Sequence, residues 1–258
     1  MQTGAITSYF DVAQITLYAF WIFFAGLILY LRSEDKREGY PLISETPGGE
    51  SSEGWPAMPA PKTYLLPHGG TLVTPRPVPR ETPKLVPGAI WPGYPMEPTG
   101  DPMLDGVGPA AYADRADEPD LMFEGAVPKI VPLRTAKEFF LAPEDPDPRG
   151  SIVVGADDEV AGTVSEVWVD KAEFIVRFLE VELAGAGGQG RVLLPMGFAD
   201  IRAKQSKVRV SAILAAQFAR VPRLRNPDVI TNLEEDKISA YYAGGTLYAT
   251  PERLGPIL

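Results

Sequence analysis

The longest apolar stretch of the chain lies close to its start. Residues 12–31, VAQITLYAFWIFFAGLILYL, contain no charged side chain, and only Gln14 and Thr16 are distinctly polar. A helix rises about 1.5 Å per residue, so this length matches the roughly 30 Å hydrocarbon core of a bilayer. Because lipid offers no hydrogen-bond partner to backbone amides, the pattern predicts a single membrane-spanning helix over residues 12–31.

Two other interpretations of this stretch fit its pattern less well. A buried core helix would carry a polar stripe, and a signal peptide would follow a basic segment. Residues 1–11 contain neither lysine nor arginine.

The basic residues that flank this stretch all follow it. Arg32, Lys36 and Arg37 come after the span, whereas Asp11 is the only charged residue before it. Lysines and arginines close to a span remain on the cytoplasmic side, so we expect residues 1–11 to be periplasmic and the bulk of the chain cytoplasmic. The same three basic side chains are candidates for contact with anionic lipid headgroups.

A proline-rich region follows the span, and 22 of the 27 prolines lie within residues 41–148. Proline is excluded from helix interiors and from central strands, so we predict an extended, irregular connector over residues 32–130. A free linker is one interpretation of it. Interspersed apolar residues such as Trp55, Tyr64 and Trp91 favour a segment that adheres to partner subunits, because disordered linkers are usually poor in them.

The remaining residues, 131–258, predict a mostly-β cytoplasmic domain. Short β-type runs recur at a spacing typical of an antiparallel sheet or small barrel, over residues 151–155, 160–170, 174–183, 191–196 and 207–213. Two helical stretches are expected after them, over residues 212–221 and 233–243. The predicted fold class is therefore one transmembrane helix, an irregular connector, a mostly-β domain and short C-terminal helices.

The amino-acid composition limits the kinds of functional site that the chain can form. The chain has 258 residues, no cysteine, one histidine and a formal charge of −10, with a pI near 4.7. Disulfides, thiolate metal sites and histidine clusters are excluded, and the acidic balance argues against a nucleic-acid binder. The sole histidine, His68 in LPHGG, is more consistent with a turn residue than with a proton relay or metal ligand. The sequence predicts no metal site.

Two further patterns resemble functional motifs. Residues 185–190, GAGGQG, satisfy G-x-G-x-x-G, but a strand follows them instead of the helix that a dinucleotide site requires, so we predict a hairpin. Residues 202–225 contain seven basic side chains, and we expect a solvated face or a contact with acidic subunits there in preference to RNA. These are Arg202, Lys204, Lys207, Arg209, Arg220, Arg223 and Arg225.

Long motifs, in order along nearly the whole chain, resemble the H subunit of purple-bacterial photosynthetic reaction centres. They are EDKREGYPL (34–42), PKTYLLPHGGTL (61–72), PTGDPMLDGVGPA (98–110), WVD (168–170), RFLEVEL (177–183), LLPM (193–196) and LEEDKISAYYAGGTLYA (233–249). The C-terminal part is similar to the PRC-barrel fold.

This resemblance implies a non-catalytic subunit in the bacterial inner, photosynthetic membrane. Such a subunit caps the L and M subunits, and a core light-harvesting antenna and a cytochrome subunit are further partners. Bacteriochlorophyll, bacteriopheophytin, quinones, non-haem iron and carotenoid would belong to partner subunits, with none bound by this chain alone. The alternative is a membrane-tethered PRC-barrel adaptor outside photosynthesis, for which a flexible linker would suffice.

The resemblance also suggests residues for proton delivery to the secondary quinone. Glu173 and Arg177 match the family's charged cluster below that quinone, and Asp170 is a neighbouring candidate. Glu124, in DLMFEGAVPKIVP (120–132), stands where the family has an acid for proton uptake, but the accompanying histidines are missing. Glu180 and Glu182 are further carboxylates on the predicted strands, and all of these could instead be ordinary outward-facing strand residues.

Overall fold

The computed structural model describes residues 11–40, 42, 54–75, 84–91 and 93–254. These residues form two compact units. One contains the described residues before 82 together with 89–95, and the other contains 84–88 and everything from Met96 onward. Predictions for residues 1–10 and for the gaps in the connector lie outside the described residues.

The first unit begins with helix α1, Val12–Glu34. Asp11 caps it by accepting a hydrogen bond from the backbone amide of Gln14 at 2.7 Å, and none of its residues is buried. Within the described residues, this is the one helix long and apolar enough to cross a membrane. It extends three residues beyond the predicted end, because the polar residues that follow continue the helical hydrogen bonding.

Short elements follow α1 in the connector. A 3₁₀ helix covers Asp35–Arg37, and an antiparallel hairpin pairs β1, Lys62–Leu65, with β2, Thr71–Thr74. In the second unit, β3, Leu85–Pro87, pairs with β4, Met96–Pro98, and helix α2 covers Pro102–Asp105. The described connector is thus irregular, as predicted, with small hairpins that the proline content did not reveal.

The sheet of the second unit has seven strands. They are β5, Ile130–Pro132; β6, Ile152–Val154; β7, Val160–Asp170; β8, Ile175–Leu183; β9, Arg191–Pro195; β10, Asp200–Arg202; and β11, Lys207–Arg209. The order is β10-β11-β6-β7-β8-β9, and β5 pairs with the second half of β7 on the same edge as β6. Only β11 and β6 are parallel. The mostly-β prediction is confirmed.

Helix α3, Asn232–Tyr248, is the long helix of this unit. Thr231 and Glu234 form a capping box at its start, and Tyr241 and Tyr242 are buried in the same core as the sheet. The helix is longer than the predicted 233–243. Its two adjacent glycines, Gly244 and Gly245, leave room for Ala110 and for Ile213, respectively.

Two further predicted elements differ from the structure, one in its extent and one in both its extent and its type. The strand predicted over 207–213 stops at Arg209, because the carbonyls of Ser211 and Ala212 accept hydrogen bonds from Arg253 instead of from a neighbouring strand. The helix predicted over 212–221 is a short 3₁₀ helix, Ala215–Arg220. Its start is fixed where the Ala215 amide donates to Asp157 at 3.1 Å.

Candidate functional site

The turn between β7 and β8 presents two of the predicted site residues. Asp170 ends β7 and is 1% exposed, and its carboxylate accepts hydrogen bonds from the amides of Ala172 and Glu173 at 2.9 and 3.1 Å. Phe174 closes the turn in the left-handed region, with φ of 58°. An aspartate that bonds to amides two and three residues later stabilises such a turn, and this places Glu173 at its tip.

Arg177, on β8, joins three carboxylates. Its guanidinium lies 3.3 Å from Glu235 Oε1, 3.9 Å from Glu173 Oε2 and 4.0 Å from Asp170 Oδ2. We call these four residues the Arg177 cluster. The structure therefore brings together the three residues predicted from the sequence, and it adds Glu235.

Glu235 comes from the first turn of α3, which the capping box positions. Burial raises the pKa of the Glu235 carboxyl above its usual value, although Arg177 and Arg115 oppose this shift. Arg115 is held by Asp236 at 3.2 Å on the next position of the helix. A partly buried carboxyl with a raised pKa holds its proton to a higher pH than an ordinary glutamate does.

A second hairpin leads toward this cluster from residues 120–129. The amide of Lys129 donates to the Asp120 carbonyl at 2.8 Å, and Glu124 lies exposed in the turn between them. The Lys129 ammonium lies 3.0 Å from the Asp120 carboxylate. That hydrogen bond raises the pKa of Lys129, and the charges of Asp170 and Glu173 contribute in the same direction. The structure does not place Glu124 in contact with the cluster.

Strand β5 connects the two groups of charges. It begins at Ile130, directly after Lys129, and Ile130 pairs with Asp170 in the sheet register. The amide of Lys171 also donates to the Lys129 carbonyl at 3.0 Å. An exposed acid, a lysine and a buried acid therefore follow one another along adjoining backbone segments.

Glu180 and Glu182 have different environments. Glu180 is 5% exposed and accepts a hydrogen bond from Trp168 Nε1 at 3.1 Å, with Arg134 and Arg191 at 3.2 and 3.3 Å. Glu182 points to solvent. Glu180 therefore belongs to a buried ion-pair network, and the interpretation as an ordinary outward-facing strand residue applies only to Glu182.

The basic residues after α1 are used within the chain more than the sequence suggested. Arg37 donates to both oxygens of Glu34 at 2.8 Å and to the Ala60 and Thr74 carbonyls at 2.9 Å. Lys36 is 1% exposed and donates to the Pro56 carbonyl. Burial and these contacts correct the expectation for Lys36 and Arg37, and the predicted headgroup contact now rests on exposed Arg32.

His68 and the glycine-rich motif agree with the simpler interpretations, whereas the basic stretch pairs largely with acids of the same chain, which was not expected. His68 lies exposed in the turn between β1 and β2. The glycine-rich residues 185–190 connect antiparallel β8 and β9; they contain a single 3₁₀ turn, Gly185–Gly187, and strand β9 follows them instead of an α-helix. In the basic stretch, Arg202 pairs with Asp200 and Arg225 with Asp117, so several of these cations are compensated within the chain.

Sequence reasoning missed Glu235, Lys129 and Asp120. Glu235 lies in the quoted motif LEEDKISAYY, but nothing in its spacing shows which of three consecutive acids faces β8. Asp120 and Lys129 flank the Glu124 turn nine residues apart, a separation that a hairpin makes adjacent. An acid and a lysine placed symmetrically about a turn were the only signal in the sequence for this ion pair.

Fold and site together define a class of protein: a membrane subunit with one spanning helix and a β-sheet domain that carries a cluster of ionisable side chains. Residues 4–135, just over half of the chain, match the family described as photosynthetic reaction centre, H-chain N-terminal region. Residues 144–217 match the PRC-barrel domain. The chain belongs to the H-chain family of photosynthetic reaction centres, whose members are structural subunits that associate with other reaction-centre subunits in the membrane. The Arg177 cluster draws Asp170, Glu173 and Arg177 from the second match and Glu235 from beyond it.

Proposed function

We propose that this H chain caps the L and M subunits and conducts protons toward the secondary quinone that those subunits hold. The observation that carries the proton-conducting part is the Arg177 cluster, in which one guanidinium lies within 4.0 Å of three carboxylates. Three acids around one cation leave a net negative charge, which stabilises an arriving proton.

The chain's own residues suggest a direction for proton movement. Glu124 would take up a proton from bulk water, because it is exposed at the tip of its hairpin. Lys129 and Asp120 would hold the next charges, and water would bridge from there to Asp170 and Glu173. Glu235, with its raised pKa, would store a proton beside Arg177. Reduction of the quinone to quinol would consume two protons.

Cofactors are the partners' contribution in this proposal. Bacteriochlorophyll, bacteriopheophytin, quinones, non-haem iron and carotenoid would be held by the partner subunits. The N-terminus would be periplasmic and the sheet domain cytoplasmic, with Arg32 at the lipid headgroups on the cytoplasmic side. The H-chain match over residues 4–135, which covers the connector, favours this role over an adaptor outside photosynthesis.

The test replaces Glu173 with glutamine in the intact complex. Glu173 is half-exposed at the tip of a turn, so Glu173→Gln should preserve the fold. We expect flash-induced absorbance kinetics to show unchanged primary charge separation and slower second electron transfer to the quinone. Glu182→Gln, an exposed acid on the same β8, is the matched control and should match the wild type. Second-electron transfer at the wild-type rate in Glu173→Gln would remove Glu173 from the pathway.

A further inference from the structure

A cavity of about 610 Å³ opens on the second unit, away from the residues of the Arg177 cluster. Its walls come from the segment after β9, from the bend after β11, from the C-terminal half of α3 and from the 3₁₀ helix Pro251–Leu254. Two arginines, Arg209 and Arg253, line it together with the hydroxyl residues Ser211 and Thr246.

Arg253 carries a charge that no carboxylate neutralises within the described part of the chain. Its guanidinium donates to the carbonyls of Ser211, Ala212 and Gly245 at 2.9, 2.7 and 2.6 Å. These acceptors orient the side chain but are neutral. Among residues 11–254 that the structure describes, no Asp or Glu lies within ion-pair distance of it.

The charge and the hydrogen-bond donors of Arg209 are also only partly matched by acceptors. Its Nη2 lies 3.5 Å from Asp158, a carboxylate that is also 3.8 Å from Lys207. Its Nε is buried and has no hydrogen-bond acceptor among the described residues.

Asp200, the one acid among the lining residues, does not neutralise the charges of Arg209 and Arg253. Asp200 is held by Arg202, whose Nε donates to it at 2.9 Å. Two guanidinium groups therefore share the cavity with a carboxylate that already has its own cation. A locally positive cavity on a chain of net charge −10 is a site for an anion.

We propose that this cavity binds a phosphate-class oxyanion between Arg209 and Arg253. Phosphate offers several acceptor oxygens to two guanidinium groups, and the Ser211 hydroxyl is a further donor, whereas the Thr246 hydroxyl already donates to the Ala243 carbonyl at 2.5 Å. The phosphate could be inorganic phosphate or the phosphodiester of an anionic lipid headgroup. Either ligand would link the Pro251–Leu254 segment to the chain that leaves β11.

The experiment titrates the intact detergent-purified complex with inorganic phosphate and, separately, with dihexanoyl phosphatidylglycerol, at constant ionic strength, by isothermal calorimetry. We expect one saturable site per H chain. Arg253→Gln and Arg209→Gln should each weaken binding at least tenfold. Arg149→Gln removes an exposed arginine elsewhere in the same unit and should bind like the wild type.

Arg209→Lys guards against loss of fold, since it retains the positive charge but not the planar guanidinium that can donate two parallel hydrogen bonds. We expect it to weaken binding as well, while the unfolding midpoint stays close to that of the wild type. Saturation by phosphate identifies a soluble ligand, and saturation by phosphatidylglycerol alone identifies a headgroup. Absence of saturable binding of both, or equal affinity in wild type and both glutamine variants, would overturn the proposal.

Discussion

The guanidinium of Arg177 lies 3.3 Å from the carboxylate of Glu235, although 58 residues separate them in the chain. This contact joins the third residue of β8 to the first turn of α3. The charge state of the Arg177 cluster therefore depends on how the C-terminal helix packs on the sheet. The proposed proton handling and the stability of the second unit would therefore both depend on this pair.

The pH dependence of stability should report Glu235. Because burial raises its pKa above the ordinary value of 4.5, the folded chain holds a proton that the unfolded chain has released. The free energy of unfolding should therefore fall as the pH rises from 4.5 through the raised pKa, and then level off. Glu235→Gln should remove this slope. Urea unfolding of the full chain in detergent, followed by tryptophan fluorescence from pH 4 to 8, measures it.

Glu182→Gln should keep the wild-type slope in the same titration, because Glu182 is exposed. An unchanged slope in Glu235→Gln would assign the pH dependence to another group.

The buried network around Glu180 should be costly to break. Glu180→Leu leaves Trp168 Nε1 without its acceptor and leaves Arg134 and Arg191 without a shared carboxylate. Arg191 is exposed and Arg134 keeps Asp228 at 2.8 Å, so the main cost is the buried indole N–H without an acceptor, about 1–3 kcal/mol. Glu182→Gln, two residues along the same strand, should change the free energy of unfolding by no more than about 0.5 kcal/mol. Equal unfolding midpoints for the two variants would contradict the network's importance.

The close approach of α3 to the sheet can be tested at Gly245. A Cβ at this position would overlap with Ile213 and lie 2.6 Å from the Ala212 carbonyl oxygen. Overpacking costs about 1–3 kcal/mol, which exceeds the roughly 1 kcal/mol that alanine gains over glycine in a helix. We expect Gly245→Ala to lower the melting temperature. Gly197→Ala is the control, because nothing lies within 4 Å of its Cβ position.

Alkaline stability should depend on Tyr241. Burial raises its pKa from 10.0 to about 12, and its hydroxyl donates to the Gln217 carbonyl at 2.9 Å. The folded chain keeps this proton between pH 10 and 12 while the unfolded chain loses it, so Tyr241 contributes a fall in stability of about 3 kcal/mol as the pH rises through that window. Burial also raises the pKa of Tyr242, which adds to the fall. Tyr241→Phe should flatten this part of the curve at a cost of about 1 kcal/mol below pH 10.

An exposed tyrosine provides the control for that measurement. Tyr112→Phe should keep the wild-type fall between pH 10 and 12, because Tyr112 is 44% exposed and lies outside the core. If Tyr241→Phe loses stability as steeply as the wild type over that range, the titrating group is a different one.

Much of the fold could be predicted because its signals are local. The charge-free run of residues 12–31 determines the span, and alternation with short turns identifies strands β7 and β8. The extents that failed, at residues 210–213 and 212–221, are set by Arg253 and Asp157, which contact them from distant parts of the chain. Hydrophobic periodicity contains no information about such carbonyl and amide partners.

The residues of the candidate site also fall into those that the sequence could predict and those that it could not. Asp170, Glu173 and Arg177 are close in sequence and occupy one hairpin, so the motif and the turn predict their proximity. Glu235 and Lys129 reach them only through tertiary pairing, and the sequence offered several equivalent acids. For Lys36 and Arg37 the local signal misled. Their position beside the apolar run predicted contact with lipid headgroups, but their side chains donate to the carbonyls of Pro56 and Thr74 in the connector.

The position of strand β5 limits where the chain can be cut into fragments that keep their structure. Ile130–Pro132 belongs to the H-chain match, yet it is fully buried and pairs with Trp168–Asp170 of the PRC-barrel match. A fragment cut at residue 144, where the second match begins, would leave that stretch of β7 as an open edge with its apolar neighbours in water. The two sequence families therefore do not correspond to two separate structural modules, because the boundary between them falls inside one compact unit.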